Sequence, residues 1–336
     1  MKRLIIYVIS VSLGLFAVAS AWASEWQTSS QAFAIANQTA QSMNIRFALP
    51  DYKMTQASVN GTTYHKILSA DAGYFQNRGA PELPFFSTMI AIPNHGQVSV
   101  EIVNTHQQTL DHILPYPAQN AAYAGNPRGF EVTSAIYQSG EVFPREVIQY
   151  SDPQILRDFR VITIQVQPFC WDSATHQLTV RDQIEFRLCY SDQPGVNELN
   201  EPFQISPAFD KVYQSLILNY AEYRTEASMM ANTPARIVII HGNYTDAVFQ
   251  QKLANYALWK RQKGSDVRLV STAVTGTTNN AIKTYLQNIY NDVSSRPDYV
   301  IIVGDTQGSF LVPTWSNNGS GDYPYQMLAG GDQLGD

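Results

Sequence analysis

Two hydrophobic periods divide this chain. From about Ser24 to Cys189 apolar and polar positions alternate with period two, the spacing of half-buried strands. After Pro234, short unbroken apolar runs are separated by stretches with helical spacing. Arg236–Ile240 (Arg-Ile-Val-Ile-Ile) predicts a strand covered on both faces. Phe249, Leu253, Tyr256 and Ala257 then recur at i, i+4, i+7 and i+8; Lys260, Arg261 and Lys263 fill the last turn and Gly264 stops the helix. Val267–Val270 is a second strand. Thr278 caps a second helix with the stripe Ile282, Leu286, Ile289, Tyr290 and Val293, and Tyr299–Val303 is a third strand ending in Gly304-Asp305. The order β-α-β-α-β is that of a parallel sheet wrapped by helices, followed by loop to Asp336.

The alternating region predicts an all-β sandwich. Ile90–Ile92, the turn Pro93-Asn94-His95-Gly96 and Val98–Ile102 read as one hairpin, with Val98, Val100 and Ile102 inward. Val161–Phe169 and Leu178–Tyr190 read as a second, around Asp172-Ser173-Ala174-Thr175, with Ile184, Phe186, Leu188 and Tyr190 on one face. Turn clusters at Asn60-Gly61, Asn77-Arg78-Gly79 and Gly125-Asn126-Pro127 fit a sandwich. Past the polar break Pro194–Pro202, Ser206 as N-cap and Pro207 at N1 predict a helix with the stripe Phe209, Val212, Tyr213, Leu216 and Tyr220. The polar stretch Arg224–Pro234 is the expected boundary. The division is therefore 1–23, 24–223, 224–234 and 235–336.

Composition narrows the class. At 336 residues, 44% hydrophobic and 15% charged, the chain is globular and long enough for two domains. A net charge of −6 without a basic patch argues against nucleic acid as a partner. Lys2-Arg3, the apolar run Leu4–Ala19 and Ala21-Trp22-Ala23 read as a cleavable secretory signal, with no later membrane span. The two cysteines are expected as free thiols. In the hairpin register Cys170 lies near Leu178 and Cys189 near Phe159, on the order of 35 Å apart at ~3.3 Å per residue.

Little in the chain carries cysteine or metal chemistry by itself. His241-Gly242 follows the first strand of the α/β unit, where sites gather, yet no cysteine shares that unit, and it reads as a loop histidine. Cys170 ends an apolar strand without a basic neighbour and reads as a buried small hydrophobe; Cys189 has only Arg187 on its face. His65, His95, His106, His112 and His176 are scattered through the turns and loops of the β-region without metal-ligand spacing. Thr306–Asp336 carries Asp322, Asp332 and Asp336 and no lysine or arginine, and reads as an acidic surface loop.

Trp259-Lys260-Arg261-Gln262-Lys263-Gly264 at a helix end and Tyr299-Val300-Ile301-Ile302-Val303-Gly304-Asp305 at a strand end resemble the first part of a gingipain-type cysteine peptidase. So does Asp322-Tyr323-Pro324-Tyr325 through Gly331-Asp332 to Asp336. Gly79-Ala80-Pro81-Glu82-Leu83-Pro84, the Ile92-Pro93 turn and Trp171–Val180 resemble the propeptide of that family. The resemblance implies a sandwich propeptide that covers the enzyme and inhibits it. Next comes a truncated, caspase-like α/β subdomain whose nucleophilic cysteine and basic histidine would lie beyond Asp336, so that no catalytic residue is expected here. It further implies protein substrates for the longer enzyme, export from a bacterium to its surface or surroundings, and calcium sites, for which Asp322, Asp332 and Asp336 are the candidates. If the enzyme prefers a basic residue, Arg128 or Arg145, each after a proline, is the expected occupant of the cleft, and Arg224 is the expected processing point. The alternative is a secreted β-sandwich binding or adhesion module with an α/β appendage.

Overall fold

The computed structural model describes residues 32–119, 129–200, 204–225, 234–316 and 321–336. The signal segment, the Gly125-Asn126-Pro127 turn, Arg128 and most of the 224–234 linker lie outside the described residues.

Two sheets face each other in the β-domain. A six-stranded sheet runs Phe33–Gln38, Ser42–Ala48, Gln177–Ser191, Phe169–Asp172, Val142–Phe143, with Gln97–Leu110 along the other side of Gln177–Ser191. A five-stranded sheet runs Gln154–Leu156, Phe159–Val166, Pro84–Ala91, Gly73–Tyr74, with Ile148–Tyr150 also on Phe159–Val166. Met43, Ile45, Phe47, Ile184, Phe186 and Leu188 from the first meet Phe86, Ile90, Ile162, Ile164 and Val166 from the second in one buried core. Each such side chain contributes about 1.5–3 kcal/mol by leaving water. Asn60 and Gly61 both have positive φ at the tip of the Tyr52–Val59/Thr62–Ser69 hairpin, as a two-residue primed turn demands.

Both predicted long hairpins are corrected. Val161–Val166 does not pair with Leu178–Tyr190; it belongs to the other sheet, on Pro84–Ala91. The chain crosses between sheets at Gln167-Pro168, and only Phe169–Asp172 pairs with Gln177–Val180, Cys170 opposite Thr179. Likewise Ile90 and Val98 lie in different sheets, joined by an arch through Pro93–Gly96. Gly96 has positive φ there, and a Cβ would collide with the Ser191 carbonyl oxygen. Val98 and Val100 do pack on the core, but Ile102 is 45% exposed because Gln97–Leu110 is an edge strand with a bulge beside Phe186.

Phe159–Val166 is buried on both faces. Its outer face, with Phe159, Val161 and Ala91, is covered by Ile205, Phe209, Tyr213, Ile217 and Tyr220. This helical cover is two short helices, Asp210–Leu216 and Tyr220–Tyr223, rather than one opening at Ser206. Ser206 does not cap; its hydroxyl donates to Asp298 Oδ1 at 2.6 Å. Between the helices, the Asn219 side chain exchanges hydrogen bonds with both backbone groups of Ala91 (2.9 and 2.8 Å), which turns the chain against the sheet.

The second unit matches its expected elements. Parallel strands stand in the order Asp266–Ser271, Arg236–His241, Tyr299–Val303. Ala247–Gln262 covers the face of Ile237, Ile239, Val267 and Ile301, and Asn279–Asn291 covers Val238, Ile240, Val270 and Ile302. Asp246 and Thr278 cap these helices through side-chain oxygens that accept from Phe249 N and Ala281 N. The segment after Asp305 is not an open surface loop: Val312, Tyr325 and Leu328 are buried beside the second helix.

Candidate functional site

The parallel sheet has two ends, and the chemistry-bearing residues separate between them. At the carboxyl end, His241 is the last residue of its strand, 7% exposed, not a loop residue. Its Nδ1 lies 2.8 Å from the carbonyl oxygen of the neighbouring Gly242. The 305–312 segment folds back over this end: Asp305 N donates to Phe310 O, and Val312 N donates to Asp305 O (both 2.8 Å). Phe310 packs on Tyr244 and Phe249, with ring centroids 4.0 and 5.4 Å apart. Among the described residues no cysteine bonds a histidine at either end.

The cysteines are indeed free. Cys170 does have a basic neighbour, contrary to the expectation: Arg181 Nη1 donates to its sulfur at 3.1 Å. Arg181 stands two residues beyond Thr179, the strand partner of Cys170, so it reaches across diagonally. Burial nonetheless pushes the thiol up against the pull of Arg181, and a raised thiol is a poor nucleophile at neutral pH. Cys189 faces Glu101, whose carboxylate also binds Arg187. His65 and His106 sit on strands rather than in turns; His106 pairs with Asp182 at 2.6 Å.

The amino end of the sheet is where the two units meet. Leu156 and Phe159 pair across a two-residue turn, Arg157-Asp158, in which Arg157 has φ of 48°. A left-handed conformation at a residue other than glycine costs on the order of 1 kcal/mol, so the surroundings must hold it. The Arg157 side chain is buried and runs into the α/β unit. Nη1 donates to the Pro297 carbonyl at 2.6 Å, Nη2 to Asp298 Oδ1 at 2.8 Å, and the guanidinium lies 4.7 Å over the Phe209 ring. Nε faces Asp158 Oδ1 at 3.7 Å, beyond hydrogen-bond reach. Asp298 also accepts from Arg236 N through Oδ2 (2.8 Å), so it joins the starts of two strands. Asp158, beside Arg157, accepts from the Tyr213 hydroxyl (2.9 Å) and Ser206 N (3.2 Å); burial raises its carboxyl while Arg157 and these donors oppose the rise. Phe209 stacks on Tyr299 across the same junction.

Two of the three candidate calcium ligands stand at this junction. Asp332 Oδ2 accepts from Ile155 N at 2.9 Å and from Asn197 Nδ2 at 3.2 Å, while Oδ1 accepts from Leu334 N. Asp336 accepts from Arg157 N (3.2 Å), Leu328 N (2.8 Å) and Ala329 N (2.5 Å). Burial raises the Asp336 carboxyl to about 6. N–H donors therefore already occupy these oxygens, and among the described residues no group of three or more His, Cys, Asp or Glu is placed to hold a metal ion. Asp322 stands apart, at the start of the Tyr323–Gln326 turn. Of the basic candidates, Arg145 is exposed and paired with Glu141 at 2.5 Å. Arg224 is held by Asp210 through two bonds of 2.7 and 3.0 Å. Sequence reasoning missed Arg157 because its partners Pro297 and Asp298 are remote in the chain. The available signal was an Arg-Asp pair between two short apolar runs.

Comparison with known proteins follows the same division. The family model Propeptide_C25 matches residues 23–227, and Peptidase family C25 matches 230–336. Lys-gingipain HG66 of Porphyromonas gingivalis is 26% identical over 285 residues, covering 80% of this chain and 16% of that protein. Gingipain R2 of Porphyromonas gingivalis (strain ATCC BAA-308 / W83) is 24% identical over 302 residues, covering 87% of this chain and 40% of that protein. The chain thus spans well under half the length of these relatives. Among solved structures, the complex of Porphyromonas gingivalis RgpB pro- and mature domains shares the fold at TM-score 0.51 and 18% identity, over 57% of this chain and 97% of the matched one. Since the first match alone extends over more than half of the sequence, the chain belongs to the gingipain-type C25 cysteine peptidase family, as propeptide and the start of the catalytic domain.

Proposed function

We propose that this chain is the leading part of an exported cysteine endopeptidase precursor, in which the β-domain holds the peptidase latent until the link after Arg224 is cut. The observation that supports it most is the place of the join. The propeptide match ends at 227 and the peptidase match begins at 230, inside the stretch between the helix Tyr220–Tyr223 and the strand Arg236–His241. The α/β unit corresponds, on this reading, to the first, caspase-like subdomain of the peptidase. Export follows from Lys2-Arg3 and the apolar run behind them, and protein substrates from the peptidase match. The same match favours this reading over the adhesion-module alternative.

The 336-residue chain itself is inert on this reading. Its Cys170 thiol is buried and raised, and neither cysteine has an imidazole to activate it among the described residues. The purified chain, offered peptides with lysine or arginine before the scissile bond, should show no turnover and no labelling by cysteine-directed active-site probes. Turnover abolished by Cys170→Ala or Cys189→Ala would overturn the reading. Arg128 and Arg145 remain the residues proposed to occupy the cleft of the longer enzyme. Arg145, exposed and held by a single ion pair, is free to exchange Glu141 for another carboxylate. Loss of latency in a longer precursor carrying both Arg128→Ala and Arg145→Ala is the expected result; unchanged latency would remove the idea.

A further inference from the structure

We infer that Arg78 and Gln119 are positioning residues: they clamp Gly129 and Glu131, directly behind Arg128, so that a peptidase cleft can hold the Arg128–Gly129 bond without cutting it productively. This rests on the proposed function for the cleft; the clamp itself is read from geometry. Residues 77–80 lie between the two stretches that bound residues 120–128 and bond to both. Gly79 N donates to Ala118 O, Ala118 N to Ala80 O, and Thr133 N to Gly79 O, each at 2.8 Å. Gly79 has φ of 81°, and a Cβ there would lie 2.6 Å from Thr133 Oγ1, so glycine is what lets the stretches approach this closely. On this splint, Arg78 Nη2 donates to the Gly129 carbonyl at 2.8 Å and Nε meets Glu131 Oε2 at 3.0 Å. From the other side the Gln119 amide takes both backbone groups of Glu131. Its Nε2 donates to the Glu131 carbonyl (2.7 Å), and its Oε1 accepts from the Glu131 N–H (3.0 Å). Phe130 packs on Tyr64 and Tyr116, with ring centroids 5.6 Å from each.

The clamp falls where it bears on hydrolysis. A peptidase that takes Arg128 before the scissile bond must lay Gly129, Phe130 and Glu131 along the leaving-group side. Here all three are already held, by Arg78, the tyrosine pair and Gln119. A thiolate attacking the Arg128 carbonyl would form a thioester and release the Gly129 amine. Tethered through its own carbonyl and through Glu131, that amine stays beside the acyl carbon. Its return expels the thiolate and restores the peptide bond before water enters, the advantage of a reactant that cannot diffuse away. The 120–128 segment then acts as an inhibitor and not as a substrate. Arg145 has no such frame; it is exposed and held by one ion pair with Glu141, so the geometry favours Arg128 of the two.

The test compares the rates of trypsin cutting after Arg128 and after Arg224 in the same 24–336 chain, by timed digestion with mass spectrometry. Cutting after Arg128 requires the clamp to open, so its rate follows the open fraction. In the wild type it is expected well behind the cut after Arg224. Arg78→Met should quicken it about tenfold, the scale for losing a hydrogen bond from a charged group, and leave cutting after Arg224 unchanged. Gln119→Ala should give a smaller rise in the same direction, and it serves if Arg78→Met fails to fold. Unchanged cutting after Arg128 in a folded variant, or equal quickening at both sites, would overturn the clamp. In the longer precursor, Arg78→Met should let latency decay as a fragment beginning at Gly129 accumulates, while the wild type keeps the bond whole. Latency that persists in that variant, or is lost with the bond whole, would overturn the proposal. Latency unchanged by Arg128→Ala would remove the cleft reading instead, and the trypsin comparison would still decide the clamp.

Discussion

The two ends of one three-stranded sheet are built from opposite materials. At the amino end, buried Arg157 and Asp298 and the carboxylates of Asp332 and Asp336 all find partners across a seam between units. At the carboxyl end, His241, Asp305 and the Phe310 loop are satisfied within their own unit, mostly by backbone and aromatic contacts. The difference separates holding from reacting. Buried charges with fixed partners tie one arrangement together, while an end closed by a local loop can be opened without separating the units.

The largest expected effect attacks the first end. Asp298→Ala leaves the buried Arg157 guanidinium with the Pro297 carbonyl and the more distant Asp158 carboxylate, and strips the acceptors of Ser206 Oγ and Arg236 N. A loss of about 3–5 kcal/mol is expected in denaturant titration. Asp305→Ala, at the exposed carboxyl end, removes one acceptor for Thr306 N and should cost about 1 kcal/mol or less. Equal losses would dissolve the contrast between the ends.

A second substitution probes the closure of the carboxyl end. A Cβ on Gly304 would lie 2.5 Å from Val312 Cγ2 and 2.6 Å from Phe310 O, so Gly304→Ala must push the 305–312 loop away. A cost of about 1–3 kcal/mol is expected. Amide exchange should quicken at Asp305 and Val312 and stay unchanged at Ile155 and Arg157 across the amino-end seam. Spread of the change to those two amides would show the ends to be coupled.

The α/β unit was legible because each signal there is local. Apolar runs, Thr278 as a cap, and Gly264 at positive φ act within one turn of their own element. The β-domain was legible in its strands but not in their pairing. Alternation says which residues of Ile90–Ile92 and Val98–Ile102 face inward, and a hairpin and an arch between facing sheets satisfy that equally. The doubly covered strand Phe159–Val166 hid its second face, because the helices that bury it come some forty residues later. Ser206 carried a capping signature, but its hydroxyl donates to the remote Asp298 and the helix opens only at Asp210. The seam is non-local throughout, and no sequence period reports it.

Acid should act on the two regions with opposite sign. The Asp336 carboxyl, raised to about 6 by burial, binds a proton between about pH 6 and pH 4 in the folded chain, where an unfolded aspartate, at ~3.9, stays ionised. Its contribution is therefore fully present below about pH 4 and is lost as pH rises through 6, an effect on the order of 3 kcal/mol. Glu198, in the β-domain, is held down to about 2 by Gly195 N, Gly96 N and His95. It stabilises above ~4.3 and that contribution disappears as pH falls through 2. Exchange protection of Leu328 and Ala329 should rise from pH 7 to pH 4.5 after correction for intrinsic rates, while Gly96 and Gly195 hold steady. Falling protection at Leu328 would place Asp336 in water.

The smallest effect concerns the link that joins the units near the amino end. Arg224 is the last arginine before the 226–233 stretch and is held by Asp210, itself bonded to the Tyr220 hydroxyl at 2.6 Å. Trypsin needs that side chain in its own pocket, so the ion pair competes with cleavage. An exposed pair contributes about 0.2–1 kcal/mol, which makes Asp210→Ala worth a gain of roughly two- to fivefold in the rate of cutting after Arg224. Timed digestion with mass spectrometry reads both the site and the rate. The first cut is expected after Arg224 in both chains, with the fragments still associated through Arg157. First cutting inside Ser24–Tyr190 would contradict the domain division. A cut after Arg224 that releases the fragments at once would make the link, and not the amino-end seam, what holds the two units together.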